Sequence, residues 1–251
     1  MNGATKIQIS PEGRGKVYPL ELALKTAKTF TVSRTKKYDN VFNPSLRGAY
    51  VTEQYVYTTN NETLIRIEHD GDVKEPYVHM YSASDTANYK NNPRTYPDVN
   101  RIIPDRYNAS LCYEIADMGE WQQIQEMAAV VKNKNTLTTL NLDLDRITAK
   151  NFDTELALEF TYRHLPLLRN IEYRMPKGDD APTIHYSAKY MIKICKAFKQ
   201  LKHDGHIHLY IYGAERPMLL EGAGITALQL PLREQIKVPE KYQSKKMKAH
   251  A

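Results

Sequence analysis

Two short stretches of the sequence carry side chains that could bind a metal ion or move protons. HDGHIH places His206 and His208 on one face of a predicted strand with His203 nearby, a conceivable metal pair. LDLD places Asp143 and Asp145 on one face of another strand, where they could form a two-carboxylate site or simply an exposed sheet face. The histidines have no carboxylate or cysteine at ligand spacing, and the chain has no Gly-rich phosphate loop, GxSxG or HExxH. We therefore expect no catalytic residue, metal or cofactor, and a metal-dependent nuclease is the least favoured function.

A lysine-rich helix is the second candidate for function. Residues 186–202, YSAKYMIKICKAFKQLK, combine an apolar stripe with a row of lysines at helical spacing on the other side. The row consists of Lys189, Lys193, Lys196, Lys199 and Lys202. Two further pairs of lysines could extend the same surface. They are Lys25 and Lys28 on the first predicted helix, and Lys132 and Lys134 after the predicted helix that contains Trp121. Such ammonium groups can contact the phosphates of duplex DNA without reading its sequence, although a lysine-rich face can also be merely solvated.

A stiff segment near the middle of the chain is the third candidate. TYPDVNRIIP, residues 95–104, has two prolines and a branched aliphatic run, and LQLPLR, residues 228–233, has similar chemistry. Prolines and branched aliphatic side chains give a preformed concave surface at low ordering cost. The alternative is ordinary core at a domain interface, because core and pocket wall share the same chemistry.

Composition sets limits on the partners and the compartment. The net charge is +6 with a pI near 9.0, but residues 234–251 carry five lysines against two glutamates, so charge alone is weak evidence for nucleic acid. Cys112 and Cys195 are far apart and have no partners at metal-like spacing, which favours a reducing compartment. No apolar stretch follows Met1, and no apolar run approaches about 18 residues. We therefore expect a cytoplasmic protein that does not associate with a membrane.

The hydrophobic periodicity predicts an α+β fold. An amphipathic helix over 19–30 precedes a hairpin whose turn is Asn60-Asn61, and the polar stretch 81–94 is expected to be a loop. After residue 104 the order is strand, helix and three strands, twice over. The first of these units comprises the strand CYEIAD, the helix GEWQQIQEMAAVVKNKN and strands over 137–147, 155–162 and 170–175. In such a duplicated unit the two helices can lie side by side against one curved sheet.

This pattern predicts a division of the chain into parts. Residues 6–67 look like a further copy of the unit without its second half, so the chain holds about one and a half duplicated domains. We expect a partial N-terminal domain over 1–94, a linker over 95–104, a complete domain over 105–233 and a basic flexible tail over 234–251.

Three motifs give the sequence a family resemblance. YPDVNRIIP is similar to the linker Phe-Pro-Asp-Tyr-Arg-Arg-Val-hydrophobic-Pro of the bacterial sliding clamp, the β subunit of DNA polymerase III. TTNNETLIRI resembles Ala-Thr-Asp-Gly-His-Arg-Leu of the same family at Thr59 and Leu64, but has Asn61, Glu62 and Thr63 where the family has Gly, His and Arg. LQLPLR is similar to the family's terminal Val-Met-Pro-Met-Arg. The order and spacing of all three agree across about 200 residues.

The resemblance implies a DNA-clamp fold and a function. In this family the linker forms one wall of a hydrophobic pocket that receives short peptide motifs from DNA polymerases and other replication proteins, and helices line a channel for double-stranded DNA. The implied pocket residues are Thr59, Leu64, Pro97, Arg101, Ile102, Tyr190, Leu228, Leu230, Pro231, Leu232 and Arg233. The implied partners are duplex DNA, a polymerase, a clamp loader and further copies of the chain in a homo-oligomer.

The sequence also departs from the family, so the resemblance does not decide whether copies of the chain form a ring. Family members close a ring with three duplicated domains in each of two subunits, or two domains in each of three, whereas this chain has about one and a half. Three alternatives remain: the ring closes with a different number of subunits, exposed sheet edges pair in another way, or no ring forms. The shortened design favours a phage or mobile-element version. The runner-up function is therefore a ringless adaptor or decoy that binds the same peptides and regulates replication.

Overall fold

The computed structural model describes residues 16–32, 43–130, 136–141, 146–151, 157–161, 168–173, 183–203 and 205–232. In these residues the helices are α1 (Leu20–Ala27), α2 (Ala83–Asn91), α3 (Met118–Val130) and α4 (Ala188–Gln200). The strands before α3 are β1 (Gly48–Val51), β2 (Tyr55–Thr59), β3 (Thr63–Glu68), β4 (Tyr77–Met80) and β5 (Leu111–Ile115). The strands between α3 and α4 are β6 (Thr136–Asn141), β7 (Arg146–Asn151), β8 (Ala157–Thr161), β9 (Leu168–Tyr173) and β10 (Thr183–Tyr186). The strands after α4 are β11 (Ile207–Ile211), β12 (Met218–Gly222) and β13 (Ile225–Gln229).

The strands form two antiparallel sheets. The larger sheet has nine strands in the order β4-β1-β2-β3-β13-β12-β11-β5-β9, and the smaller has four in the order β10-β6-β7-β8. Strand β3 pairs with β13 from Ile225 opposite Ile67 to Gln229 opposite Thr63. Strands from both sides of the 95–104 segment therefore join in one sheet. The division into domains stays a prediction.

The larger sheet separates two layers, because alternate side chains of a strand point to opposite faces. In β3, Ile65 and Ile67 lie in the core cluster that also contains side chains of α1, α3 and α4. Leu64 of the same strand lies in a second cluster with residues of the 95–104 segment. Helices α1, α3 and α4 thus cover one face and the central segment covers the other.

The two long helices pack against each other as the duplicated pattern predicts. In α4 the residues Met191, Ile194, Cys195 and Phe198 are buried, since their spacing places them on the side that faces the core. The buried Tyr186 hydroxyl, which precedes α4, donates a hydrogen bond to Oε1 of Gln125 on α3 at 2.8 Å. The α+β prediction is confirmed.

The prediction of a loop over 81–94 is wrong, because residues Ala83–Asn91 form α2. The Ser82 hydroxyl caps this helix by accepting a hydrogen bond from the backbone N–H of Asp85 at 3.1 Å. No residue of α2 is buried, so the helix has no apolar stripe that a periodicity argument could detect.

Two strand assignments also change. The stretch over 137–147 is divided between β6 and β7, so the first unit has four strands after its helix where three were predicted. The first strand of the N-terminal hairpin is divided into β1 and β2. The predicted turn at Asn60-Asn61 is confirmed, with Asn61 at a φ of 70° and the Asn60 side chain accepting a bond from the backbone N–H of Thr63 at 2.8 Å. Among the described residues no helix is long and apolar enough to cross a membrane.

Candidate functional site

The 95–104 segment lies across the sheet face that the helices leave uncovered. Tyr96 and Val99 are buried there in one cluster with Leu64 and Leu228. The Tyr96 hydroxyl donates to the backbone carbonyl of Tyr57 at 3.4 Å, and a short 3-10 helix covers Val99–Arg101. The central segment and strand β13 are therefore neighbours, as the pocket hypothesis requires. Sequence reasoning did not assign a role to Tyr96 or Val99, although an aromatic directly before Pro97 is a signal for such an anchor.

Three of the predicted pocket residues form a row across neighbouring strands. Leu64 of β3 lies opposite Thr59 of β2 on one side and opposite Leu228 of β13 on the other. Leu64 is 1% exposed and Leu228 is 2% exposed, and the Thr59 hydroxyl donates to the carbonyl of Thr63 at 2.9 Å. These side chains form the floor beneath the central segment, and their burial is that of core residues.

Three other predicted pocket residues are apolar and exposed. Ile102, Leu230 and Leu232 are 44%, 37% and 36% exposed, whereas Pro97 and Pro231 are partly buried. Exposed aliphatic side chains are typical of protein-binding surfaces when they form a contiguous patch. Ile102 follows the 3-10 turn, and the two leucines follow β13.

Backbone hydrogen bonds fix the path of the chain after β13. The N–H of Leu230 donates to the carbonyl of Glu62, in the β2–β3 turn, at 2.9 Å. The N–H of Leu232 donates to the carbonyl of His185, in β10, at 2.8 Å. The segment thus runs from the hairpin turn of the N-terminal part to the start of α4.

Tyr190 lies in the first turn of α4 at the end of this path. It is half-buried, and the ammonium nitrogen of Lys193 lies 5.3 Å from the centroid of its ring. Burial raises the pKa of Glu62, and the positive charge of Lys193 acts in the opposite direction, so the β2–β3 turn lies near this helix. Tyr190, Lys193 and Glu62 therefore border the exposed leucines.

Of the two arginines predicted for the pocket, the structure describes only Arg101. Arg101 is largely exposed and forms an ion pair with Asp98 at 3.0 Å within the 3-10 turn. Its guanidinium can reach a ligand, because an exposed pair of this kind is held by less than about 1 kcal/mol. Arg233 lies outside the described residues.

The lysines of the predicted DNA surface lie on the helical side of the sheet. Lys189, Lys196 and Lys199 are exposed, and Lys193 is partly buried. Lys196 lies 3.9 Å from a carboxylate oxygen of Glu126 on α3. Lys25 and Lys28 are exposed on and just after α1, which packs against α4. Lys132 and Lys134 lie outside the described residues.

The histidines do not form a metal site within the described residues. Nδ1 of His206 lies 2.6 Å from a carboxylate oxygen of Glu114, and Nδ1 of His203 lies 3.4 Å from the hydroxyl of Tyr18. No group of three or more His, Cys, Asp or Glu side chains in the described part of the chain could hold a metal ion. Asp143 and Asp145 lie outside that part.

The fold has counterparts among solved structures. No protein-family model and no curated protein matches the sequence. The DNA polymerase sliding clamp of Pseudomonas aeruginosa matches with a TM-score of 0.61 and 11% identity over 88% of this chain and 68% of that chain. The clamp of Bacillus subtilis matches with a TM-score of 0.60 and 18% identity over 88% and 65%. DNA polymerase III subunit beta of Borrelia burgdorferi matches with a TM-score of 0.59 and 11% identity over 85% and 61%.

The chain has the sliding-clamp fold. The predicted DNA-clamp architecture is thereby confirmed, together with the resemblance to DNA polymerase III beta subunits on which it was based. The chain spans 61% of the length of the Borrelia burgdorferi protein and 63% of the Caulobacter crescentus β clamp.

Proposed function

We propose that the protein is a non-catalytic, sliding-clamp-like processivity factor. It binds duplex DNA without sequence preference through the helical side and tethers a DNA polymerase and other replication proteins through the opposite side. The observation that carries this proposal is the separation of the two layers by one clamp-fold sheet. Exposed lysines lie on one face of this sheet and exposed aliphatic side chains at the edge of the other.

The helical side has the properties of a phosphate-binding surface. Lys189, Lys196 and Lys199 are exposed on α4, whose opposite stripe is held in the core, so the ammonium groups are positioned without being immobilised. Flexible lysines neutralise phosphates and release counterions regardless of base sequence. Lys25 and Lys28 on the neighbouring α1 enlarge the basic surface.

The other side has the properties of a peptide-binding surface. A partner's apolar side chains would pack on Ile102, Leu230 and Leu232, with Tyr190 and Arg101 as hydrogen-bond donors at the rim. Leu64 and Leu228 would support this surface from below, since both are buried. Pro97 and Pro231 stiffen the two segments that carry the exposed residues.

A ringless adaptor or decoy is the second candidate. The chain covers 61–70% of the clamp chains that it matches, and the proposed peptide-binding surface is built from residues of one copy of the chain. Such an adaptor would bind the same peptides and regulate replication without encircling DNA. A ring, by contrast, would require a homo-oligomer and a clamp loader to open it.

Retention on DNA of different topology distinguishes the two functions. A ring stays on a closed circular plasmid and slides off after the plasmid is linearised, and its mass in solution is a multiple of 28.9 kDa. A monomer of 28.9 kDa that leaves both templates equally would exclude encirclement and support the adaptor.

A further inference from the structure

A polar cleft lies near the predicted pocket and is separate from both the exposed leucines and the lysine surface. It has a volume of about 550 Å³ and is lined by the β1–β2 turn, by Tyr55 and Tyr57 of β2, by Arg66 of β3, and by Lys74 and Asn100. A volume of this size accommodates several side chains of a bound peptide. The cleft therefore qualifies as a binding site by size.

Arg66 is held in a defined position in this cleft. Its guanidinium lies over the ring of Tyr55, 4.9 Å from the centroid, and one nitrogen donates to the hydroxyl of Thr226 on β13 at 2.9 Å. An arginine has five N–H donors in a fixed fork, so this hydrogen bond leaves donors for a carboxylate. An arginine fixed in this way loses little conformational entropy when it binds an anion.

The charges of the cleft favour an acidic ligand. Among the lining residues, Arg66 and Lys74 supply two positive charges against the carboxylate of Glu53. The charge of Arg66 also acts on the carboxyl group of Glu221, which is outside the lining and whose pKa is raised by burial. Lys74 is exposed, so its ammonium can move toward a bound anion. The cleft thus combines one fixed and one mobile cation.

The cleft adjoins the predicted peptide pocket on two sides. Arg66 follows Leu64 by two residues on the same face of β3, a separation of about 7 Å. Asn100, which lines the cleft, precedes Arg101 and Ile102 in the 3-10 turn that borders the pocket. A peptide that reaches both places must extend from Leu230, which is bonded to Glu62, to Arg66, a separation of four residues or about 13 Å along the chain.

We propose that this cleft binds an acidic side chain flanking the apolar anchor of the partner peptide, with the carboxylate between Arg66 and Lys74. This inference rests on the proposed function, since the anchor occupies the pocket. A single-stranded nucleic acid suits the cleft less well. One face of the Tyr55 ring is covered by the guanidinium and Tyr57 is 4% exposed, which limits the ring surface on which a base could stack.

The test compares two capped peptides, Glu-Glu-Leu-Leu-Phe-Glu-Glu and its counterpart with glutamine in place of glutamate, by fluorescence polarisation at about 0.15 M salt. The wild-type protein should bind the glutamate peptide roughly threefold to tenfold more tightly, as one or two partly exposed ion pairs allow. Arg66→Gln and Lys74→Gln should remove this preference and leave the affinity for the glutamine peptide unchanged. Arg216→Gln, which removes an exposed charge in the loop between β11 and β12, should keep the preference.

The outcomes separate this inference from the proposed function. If the wild-type protein binds both peptides equally, the proposal of an acidic-ligand cleft is overturned. If Leu230→Asp loses all peptide binding in the same experiment, the proposed pocket is still supported. Loss of the preference in Arg66→Gln with no effect of Leu230→Asp supports the cleft and removes the pocket. Absence of binding of either peptide, or tighter Arg66-dependent binding of an oligothymidine than of the glutamate peptide, overturns the cleft proposal. Because Lys74 is exposed, Lys74→Gln remains informative if Arg66→Gln does not fold.

Discussion

Leu64 of β3 lies directly opposite Leu228 of β13, and both side chains are buried beneath the 95–104 segment. This pair joins the N-terminal and C-terminal parts of the chain at the level of side chains as well as backbone. Two residues assigned to a ligand pocket on the basis of resemblance therefore also contribute to the stability of the fold.

Truncating a member of this pair should destabilise the protein. Leu228→Ala should lower the free energy of unfolding by about 2–5 kcal/mol, because it removes buried contacts and leaves a cavity. Urea denaturation measures the change. The matched control, Leu230→Ala, should cost less than about 1 kcal/mol since Leu230 is 37% exposed. Equal losses for both variants would show that Leu228 does not lie in a packed core.

Charge placed on the exposed aliphatic residues should abolish peptide binding without unfolding the protein. Leu230→Asp and Ile102→Asp put a carboxylate where the proposed apolar anchor packs, so the affinity for the glutamine peptide should fall at least about tenfold. Thermal denaturation should show a native fold in both. Val130→Asp changes a side chain that is 67% exposed on α3 and should bind normally. Unchanged affinity in Leu230→Asp would remove the pocket assignment.

Neutralising the α4 lysines should weaken DNA binding in a salt-dependent way. In Lys189→Gln combined with Lys199→Gln, each lost phosphate contact should reduce the slope of log affinity against log salt by about 0.9. The measurement is a titration of duplex DNA at several salt concentrations. The control, Lys74→Gln combined with Lys90→Gln, removes two exposed lysines outside α1 and α4. A greater effect in the control than in the α4 variant would place DNA elsewhere.

Glu221 should make stability depend on pH in the acidic range. Burial raises its pKa above the ordinary 4.5, although Arg106 and Arg66 act in the opposite direction. The folded state therefore binds this proton more tightly than the unfolded state, so this contribution to stability is present below pH 4.5 and is lost as the pH rises through the folded pKa. Glu221→Gln should remove that loss. Urea denaturation of both proteins across this range checks the expectation, and identical pH profiles would contradict it.

The sequence predicted most reliably the elements whose pattern arises from burial. The apolar stripe of α4 and the Asn60-Asn61 turn were both predictable, because each has a local physical cause that is visible in residue types. The exposed helix α2 was missed since it depends on the Ser82 cap and has no buried face.

The sequence predicted only some of the candidate site residues. Resemblance identified Leu64 and Leu230 as one set, but only the structure shows that the first is core and the second is surface. Arg66 was not identified, because its fixed position depends on Tyr55 beneath it and on Thr226 across the sheet at a sequence separation of 160. Contacts between distant residues leave no mark on local periodicity.

The pairing of β3 with β13 has a mechanical consequence. Five consecutive residue pairs join strands from the two sides of the 95–104 segment, so this segment is not a hinge about which the halves could swing. After a single cleavage of this segment by a protease, the two fragments would remain associated through the pairing of β3 with β13. Any swinging of the two parts about this segment would have to break these pairs.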